Sequence, residues 1–175
     1  DAAMGLVEHV VPDVTEAQMR DAMALAIGEC LKYGLTSVHE AGVSDRQIEL
    51  YKTLVDEDAF DLRVYGMIRA DETETWQRYF AQGPLIGYGD DRLTVRSVKA
   101  YADGALGSRG AALLQEYSDD PGNRGLMLMT PKQLTELSTA AARSGFQVCT
   151  HGIGDRGNRE ALDAFAKAFG DDPRA

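Results

Sequence analysis

The sequence predicts an α/β fold: about four parallel strands with flanking helices. Three observations predict it. Segments with apolar residues at helical spacing alternate with short β-branched runs, in the order α-β-α-β-α-β-loop-α-β-α. Strands separated by helices pair in parallel through right-handed crossovers. Where strand ends carry polar residues, they carry them on the C-terminal side, the rim at which parallel sheets gather ligands.

Thr15 is the expected N-cap of the first helix, with Gln18 completing a capping box. The helix runs through "EAQMRDAMALAIGECLKY" and stops at Gly34, a suitable C′ residue. "LTSVHEAG" is a short strand expected to end near His39 and Glu40. Ser44 caps a second helix whose Ile48, Tyr51, Leu54 and Val55 share one face. "DLRVYGMI" reads as a strand, "TETWQRYFAQG" as a short helix, and "RLTVRSVKAYADG" as a strand ending near Asp103.

From Asp103 to Arg124 the chain is rich in glycine and polar residues, and a long irregular loop there points to function rather than filler. Thr130 then caps a helix with Pro131 at its first position and Gln133 closing a capping box. That helix ends at Gly145. "FQVCTH" is the last strand, and "REALDAFAKAF" is the last helix.

Four strands fit a small doubly wound sheet or half of an eight-stranded barrel, which takes ~250 residues. The ends, "DAAMGLVEH" and "FGDDPRA", read as cuts and favour the half-barrel. Residues 1–175 are then one domain, an internal fragment of a longer protein. There is no low-complexity linker and no repeat of residue identity.

The apolar and charged fractions, 44% and 26%, are those of a globular protein. A net charge of −10 argues against nucleic acid or an anionic membrane as partner, since both need basic patches. No apolar run approaches the ~20 residues of a membrane span. Cys30 and Cys149 fall in a predicted helix and a predicted strand, so buried thiols in a reducing cytoplasm are expected.

His39, Glu40, Arg69, Lys99, Asp103, His151 and Asp155 are expected to converge on one rim. Each alone is weak. A lone strand-end histidine is more often structural, and a strand-end lysine more often extends to solvent. Lys99 is the most telling, because small and apolar residues flank it in "SVKAYADG". Burial lowers a lysine pKa, and the neutral amine can take up carbon dioxide as an anionic carbamate able to bridge two metals. His151 would bring a neutral imidazole to the same site. Lys99 and Asp103 differ by four residues and so share a strand face.

"VKAYADGALGSRGAAL", "YSDDPGNRG", "VCTHGIGDRGN" and "GLTSVHEAG" together resemble the amidohydrolase superfamily, in the branch called amidohydrolase family 3, which includes N-substituted formamide deformylase-like proteins. The resemblance covers almost the whole chain. It implies a (β/α)8 TIM barrel with one or two divalent metals, usually zinc, that hydrolyses non-peptide C–N bonds of small amide-type substrates. By resemblance, Lys99 is the metal-bridging position of the fourth strand and His151 the metal ligand of the fifth. Asp103, Ser108 and Arg109 belong to the loop over the site and, with His39, face the substrate. Asp155 is the catalytic aspartate that orients neighbouring groups. The family's His-x-His pair is absent from these residues, as are its sixth-strand histidine and eighth-strand aspartate. The chain therefore reads as strands two to five, expected to be inactive alone.

Two other readings stand beside this one. The turn at 151–156 could hold an anion at a helix N-terminus in a non-catalytic binding or regulatory module. "GIGDRG" also satisfies G-x-G-x-x-G, but it follows the last strand, so the βαβ unit of a dinucleotide site is incomplete. A half-barrel leaves "LTSVHEAG" and "FQVCTH" as open edges and bares one sheet face, so a homodimer or higher self-association is expected.

Overall fold

In the computed structural model, residue 7 and residues 10–170 are described, and the remaining residues of the two stretches read above as cuts lie outside the described residues. The elements are α1 (Glu16–Lys32), β1 (Ser37–Val43), α2 (Asp45–Asp56), β2 (Arg63–Arg69), α3 (Thr73–Gln82), β3 (Leu85–Gly87), β4 (Leu93–Tyr101), α4 (Pro131–Arg143), β5 (Gln147–His151) and α5 (Asp155–Phe169). The capping boxes of α1, α2 and α4 form on Thr15 with Gln18, Ser44 with Gln47, and Thr130 with Gln133. Each side-chain cap satisfies a helix-end amide and contributes about 1 kcal/mol. Gly34 and Gly145, both at φ 75°, follow the C-caps of α1 and α4.

The sheet is β1-β2-β4-β5, with every neighbour parallel. This is the four-strand parallel sheet expected from the alternating pattern, in the shape of part of a TIM barrel. One strand was not foreseen. The three-residue β3 pairs antiparallel with β4 at Leu85–Val95, on the flank of β4 that β5 takes over from Ser97 onward. Its short apolar run inside "GPLIGYG" is too brief to stand out from a loop.

Helices cover one face of the sheet. Val43, Ile68, Leu93 and Val95 pack there against Ile48, Tyr51 and Leu54 of α2, and Val98 and Ala100 pack against Leu134 and Leu137 of α4. Among the described residues the other face is open. By alternation it carries His39 and Ala41 of β1, Arg63, Tyr65, Met67 and Arg69 of β2, Arg96, Lys99 and Tyr101 of β4, and Gln147, Cys149 and His151 of β5.

Two bulges set this alternation. Gly42 is the extra residue between the pairs Ala41–Met67 and Val43–Ile68. Its φ of 136° suits glycine, and a Cβ there would meet Arg69 Cγ at 3.3 Å. Arg96 is the extra residue between Gly66–Val95 and Met67–Ser97. Arg96 and Ser97 consequently both turn to the open face, Ser97 level with Met67 and Gln147 and covered by its neighbours, while Val98 turns inward and Lys99 outward again.

Candidate functional site

Two cavities meet at Lys99. One, of about 310 Å³, is lined by Ala41, Met67, Lys99, Cys149, Thr150 and His151. The other, of about 620 Å³, lies toward α4 and is lined by Arg69, Ala70, Asp71, Tyr101, Leu128, Met129 and Gln133, with Ala41, Gly42 and Lys99. Both open at the C-terminal end of the sheet.

Register brings Lys99 and His151 together. Lys99 pairs with Cys149, and Tyr101 pairs with His151, so Lys99 and His151 are diagonal neighbours on the open face. The Tyr101 ring is close to both. Lys99 Nζ sits 3.8 Å from its centroid, and the His151 ring is 5.5 Å from it. Lys99 Nζ also donates to the Ala100 carbonyl at 3.1 Å. Burial pulls the Lys99 ammonium below the usual lysine range, and Cys149 opposes this weakly. A lysine that gives up its proton more readily is a better nucleophile and ligand precursor.

Arg69 borders the larger cavity and pairs with Lys99 in register. Its guanidinium grips Asp71 through Nε–Oδ1 at 3.0 Å and Nη2–Oδ2 at 2.5 Å. Hydrogen bonding from Arg69 holds Asp71 below the usual carboxylate range. Behind this wall, Trp76 Nε1 donates to the Ala70 carbonyl at 3.0 Å.

The remaining expected site residues lie elsewhere. β1 runs on to Val43, so His39 is level with Tyr65 in the body of the sheet and not at its end. Its ring packs 5.2 Å from the Tyr65 ring, and it lines neither cavity at the mouth. Ala41 and Gly42 hold the rim position instead.

Asp103 is the larger correction. Strand parity put it on the face of Lys99, but β4 ends at Tyr101 and Asp103 turns inward, fully buried. It accepts from the amides of Ala112 at 2.8 Å, Ile153 at 2.9 Å and Gly154 at 2.8 Å. Its two oxygens are thus engaged with the backbone, away from any substrate. Ser108 and Arg109 stand on the outside of the loop. Ser108 Oγ donates to the Ala105 carbonyl at 3.2 Å, and Arg109 Nη2 pairs with Asp119 at 3.0 Å. Neither is among the residues lining the two cavities.

The 151–156 turn holds an anion, but one from the chain itself. Ile153 and Gly154 amides serve Asp103, while those of Arg156 and Gly157 point to the Ala112 carbonyl at 3.1 and 3.2 Å. A Cβ on Gly154 would come within 1.9 Å of that carbonyl oxygen. Four amides of the turn, those of Ile153, Gly154, Arg156 and Gly157, are therefore already engaged within the chain, which counts against an external anion or a phosphate on "GIGDRG". Asp155, the first residue of α5, accepts from the Leu114 amide at 2.8 Å and so ties the long loop to the helix start.

Tyr101 joins the site without a motif of its own; its signal is its place two residues after Lys99, which puts it on the same face. Leu128 and Met129 had no local signal. They reach the mouth because the chain returns across the end of β4, where the Leu128 amide donates to the Ala102 carbonyl at 2.8 Å.

A divalent metal would meet Lys99 and His151 as two donors on one wall. Among the described residues no group of three His, Cys, Asp or Glu side chains is placed to hold a metal. A catalytic zinc takes three protein ligands, so these residues fit as part of a ligand set and not as a whole one.

Comparison with known proteins agrees with this partial character. A family model described as "Amidohydrolase family" matches residues 1–175. The chain is 34% identical over 194 residues to the Arabidopsis thaliana protein LONG AFTER FAR-RED 3, covering 99% of this chain and 32% of that one. It is 28% identical over 173 residues to YtcJ of Bacillus subtilis, covering 95% of this chain and 31% of the relative. Its fold matches the crystal structure of an uncharacterized metal-dependent hydrolase from Pyrococcus horikoshii with a TM-score of 0.75 at 27% identity, over 87% of this chain and 31% of the other. The chain thus spans about a third of the length of the relatives it matches.

Proposed function

This chain belongs to the amidohydrolase family, and from that premise we propose that it forms one wall of a metal-dependent active site that hydrolyses a non-peptide C–N bond of a small amide-type substrate. One observation carries the proposal: Lys99 and His151 line the same cavity at the C-terminal end of the parallel sheet. Such rims are where barrel enzymes keep their chemistry.

In this role His151 would hold the metal through an imidazole nitrogen, and Lys99, as its carbamate, would offer oxygen. Zinc would suit such a mixed imidazole and oxygen donor set in a hydrolytic site. Once bound, a divalent metal supplies Lewis acidity toward a carbonyl oxygen and lowers the pKa of water. The chain's own contributions are to bind and to orient. The Tyr101 ring packs against both Lys99 and His151 and helps to orient them. Asp155 acts through the Leu114 amide as a positioning residue that keeps the loop beside the turn after His151. The larger cavity, with Leu128 and Met129 on one side, receives the body of the substrate. The two free thiols suit a reducing, cytoplasmic setting.

Titration of zinc into the 175-residue chain tests the proposal. Weak binding is expected, at least tenfold weaker in His151→Ala and in Lys99→Met, with no amide hydrolysis by any of the three. Zinc binding indifferent to both substitutions would sink the assignment. Chelator-sensitive turnover by the chain alone would show that the partial ligand set was misjudged.

A further inference from the structure

We propose that the open face of the sheet is an interaction surface for an acidic stretch of polypeptide, the wall that closes the barrel over it. The inference rests on the half-barrel reading above and names what must cover that face.

The chain carries 28 Asp and Glu against 18 Lys and Arg. None of the acidic residues occupies an open-face position on β1, β2, β4 or β5, whereas Arg63, Arg69, Arg96 and Lys99 all do. Arg69 is held by Asp71. Among the described residues, Arg63 and Arg96 have no carboxylate within 4.0 Å. Arg96 Nε donates only to the Gly145 carbonyl, at 3.1 Å, and a guanidinium has four further N–H donors. Below Lys99 the face is therefore a basic floor, bridged by the Tyr65 hydroxyl donating to Gln147 Oε1 at 2.6 Å across β4.

In solvent this arrangement costs little. Inside a closed barrel an unpaired guanidinium is costly, and a covering segment with inward-facing Asp or Glu removes the penalty. The relatives carry about two thirds of their length outside the matched part, so polypeptide is available for the task. A second copy placed face to face would set Arg63 and Arg96 against their like. A long nucleic acid would meet a chain of net charge −10, whereas a segment held by the fold meets the face alone.

Capped hexaglutamate is the probe, added to the isotope-labelled 175-residue chain at low ionic strength and followed by amide chemical shifts. Shifts are expected at Arg63, Tyr65 and Arg96, lost at about 0.5 M salt, where screening is within a few ångströms. Arg63→Gln with Arg96→Gln is expected to weaken binding at least tenfold. Both positions are exposed; should the double variant fail to fold, Arg96→Gln alone is expected to weaken it at least threefold. Hexalysine is expected to shift helix-surface amides only. No shifts with hexaglutamate, shifts confined to the helices, or binding indifferent to the substitutions would overturn the inference. Tighter binding of octathymidylate at the same residues would also overturn it, in favour of nucleic acid. A chain that ignores hexaglutamate yet binds zinc through His151 loses this inference and keeps the functional reading.

Discussion

The Asp103 carboxylate lies 2.8 Å from the amide of Gly154, fifty-one residues away and at the start of α5. A buried anion on the positive end of a helix, filled by backbone donors, joins the end of β4 to the turn that follows His151. The same carboxylate takes the Ala112 amide and so seats the long loop.

Asp103→Ala is expected to cost about 3 kcal/mol, because it leaves buried amides without an acceptor. Urea denaturation gives the size. Hydrogen exchange gives the place: the Ala112, Ile153 and Gly154 amides should lose protection before those of β1 and β2. An unchanged midpoint would mean that water replaces the carboxylate at no cost.

Gly154→Ala is expected to destabilise by roughly 3 kcal/mol or more, since backbone and not a flexible side chain stands in the way of the new methyl. Gly107→Ala is its control. A Cβ there meets nothing within 4 Å, and a change within about 0.5 kcal/mol is expected. Equal midpoints for the two variants would refute the close approach of the loop to the α5 turn.

Alkaline stability should depend on Tyr51. Burial, with a smaller push from Glu40, raises its hydroxyl to about 12. The unfolded chain titrates near ~10, so it releases the proton first as pH rises. The contribution is complete below pH ~10 and is lost progressively up to about 12, an effect on the order of 2 kcal/mol. Denaturant midpoints at pH 9 and pH 11 in the wild type and in Tyr51→Phe measure it; the variant should show the shallower fall. Parallel slopes would count against the raised value.

Self-association is expected through the edges and not through the open face. Among the described residues, β1 and β5 each leave one side unpaired, and neither contains proline. Light scattering across a dilution series should show a mass above that of the monomer at the higher concentrations. Arg63→Gln with Arg96→Gln should not abolish it. A monomeric mass throughout would mean that the edges are closed within the chain.

Much of the fold is legible in the sequence because its signals are local. Thr15, Ser44 and Thr130 each meet a glutamine three residues on, and that spacing is itself the capping geometry. Lys99 and His151 are legible as strand-end residues of unusual type. What escapes is whatever depends on register. Strand parity assigns Asp103 to the mouth, but parity ends with the strand at Tyr101. His39 looks terminal because Gly42 reads as a stop, yet it is a bulge inside β1 that lets the strand run on to Val43. The spent donors of the 151–156 turn depend on Asp103 and Ala112, which lie about forty or more residues earlier in the chain.

Trp76 is the chain's only tryptophan, and its indole N–H is bound to the carbonyl of Ala70, a residue lining the larger cavity. Light absorbed at the red edge, where tyrosine is silent, is therefore re-emitted from a single point one residue layer behind the mouth. Any molecule that shifts Ala70 or the dielectric beside it changes the colour or lifetime of that emission. The protein carries its own optical gauge of occupancy, usable without label, coupled assay or knowledge of the substrate.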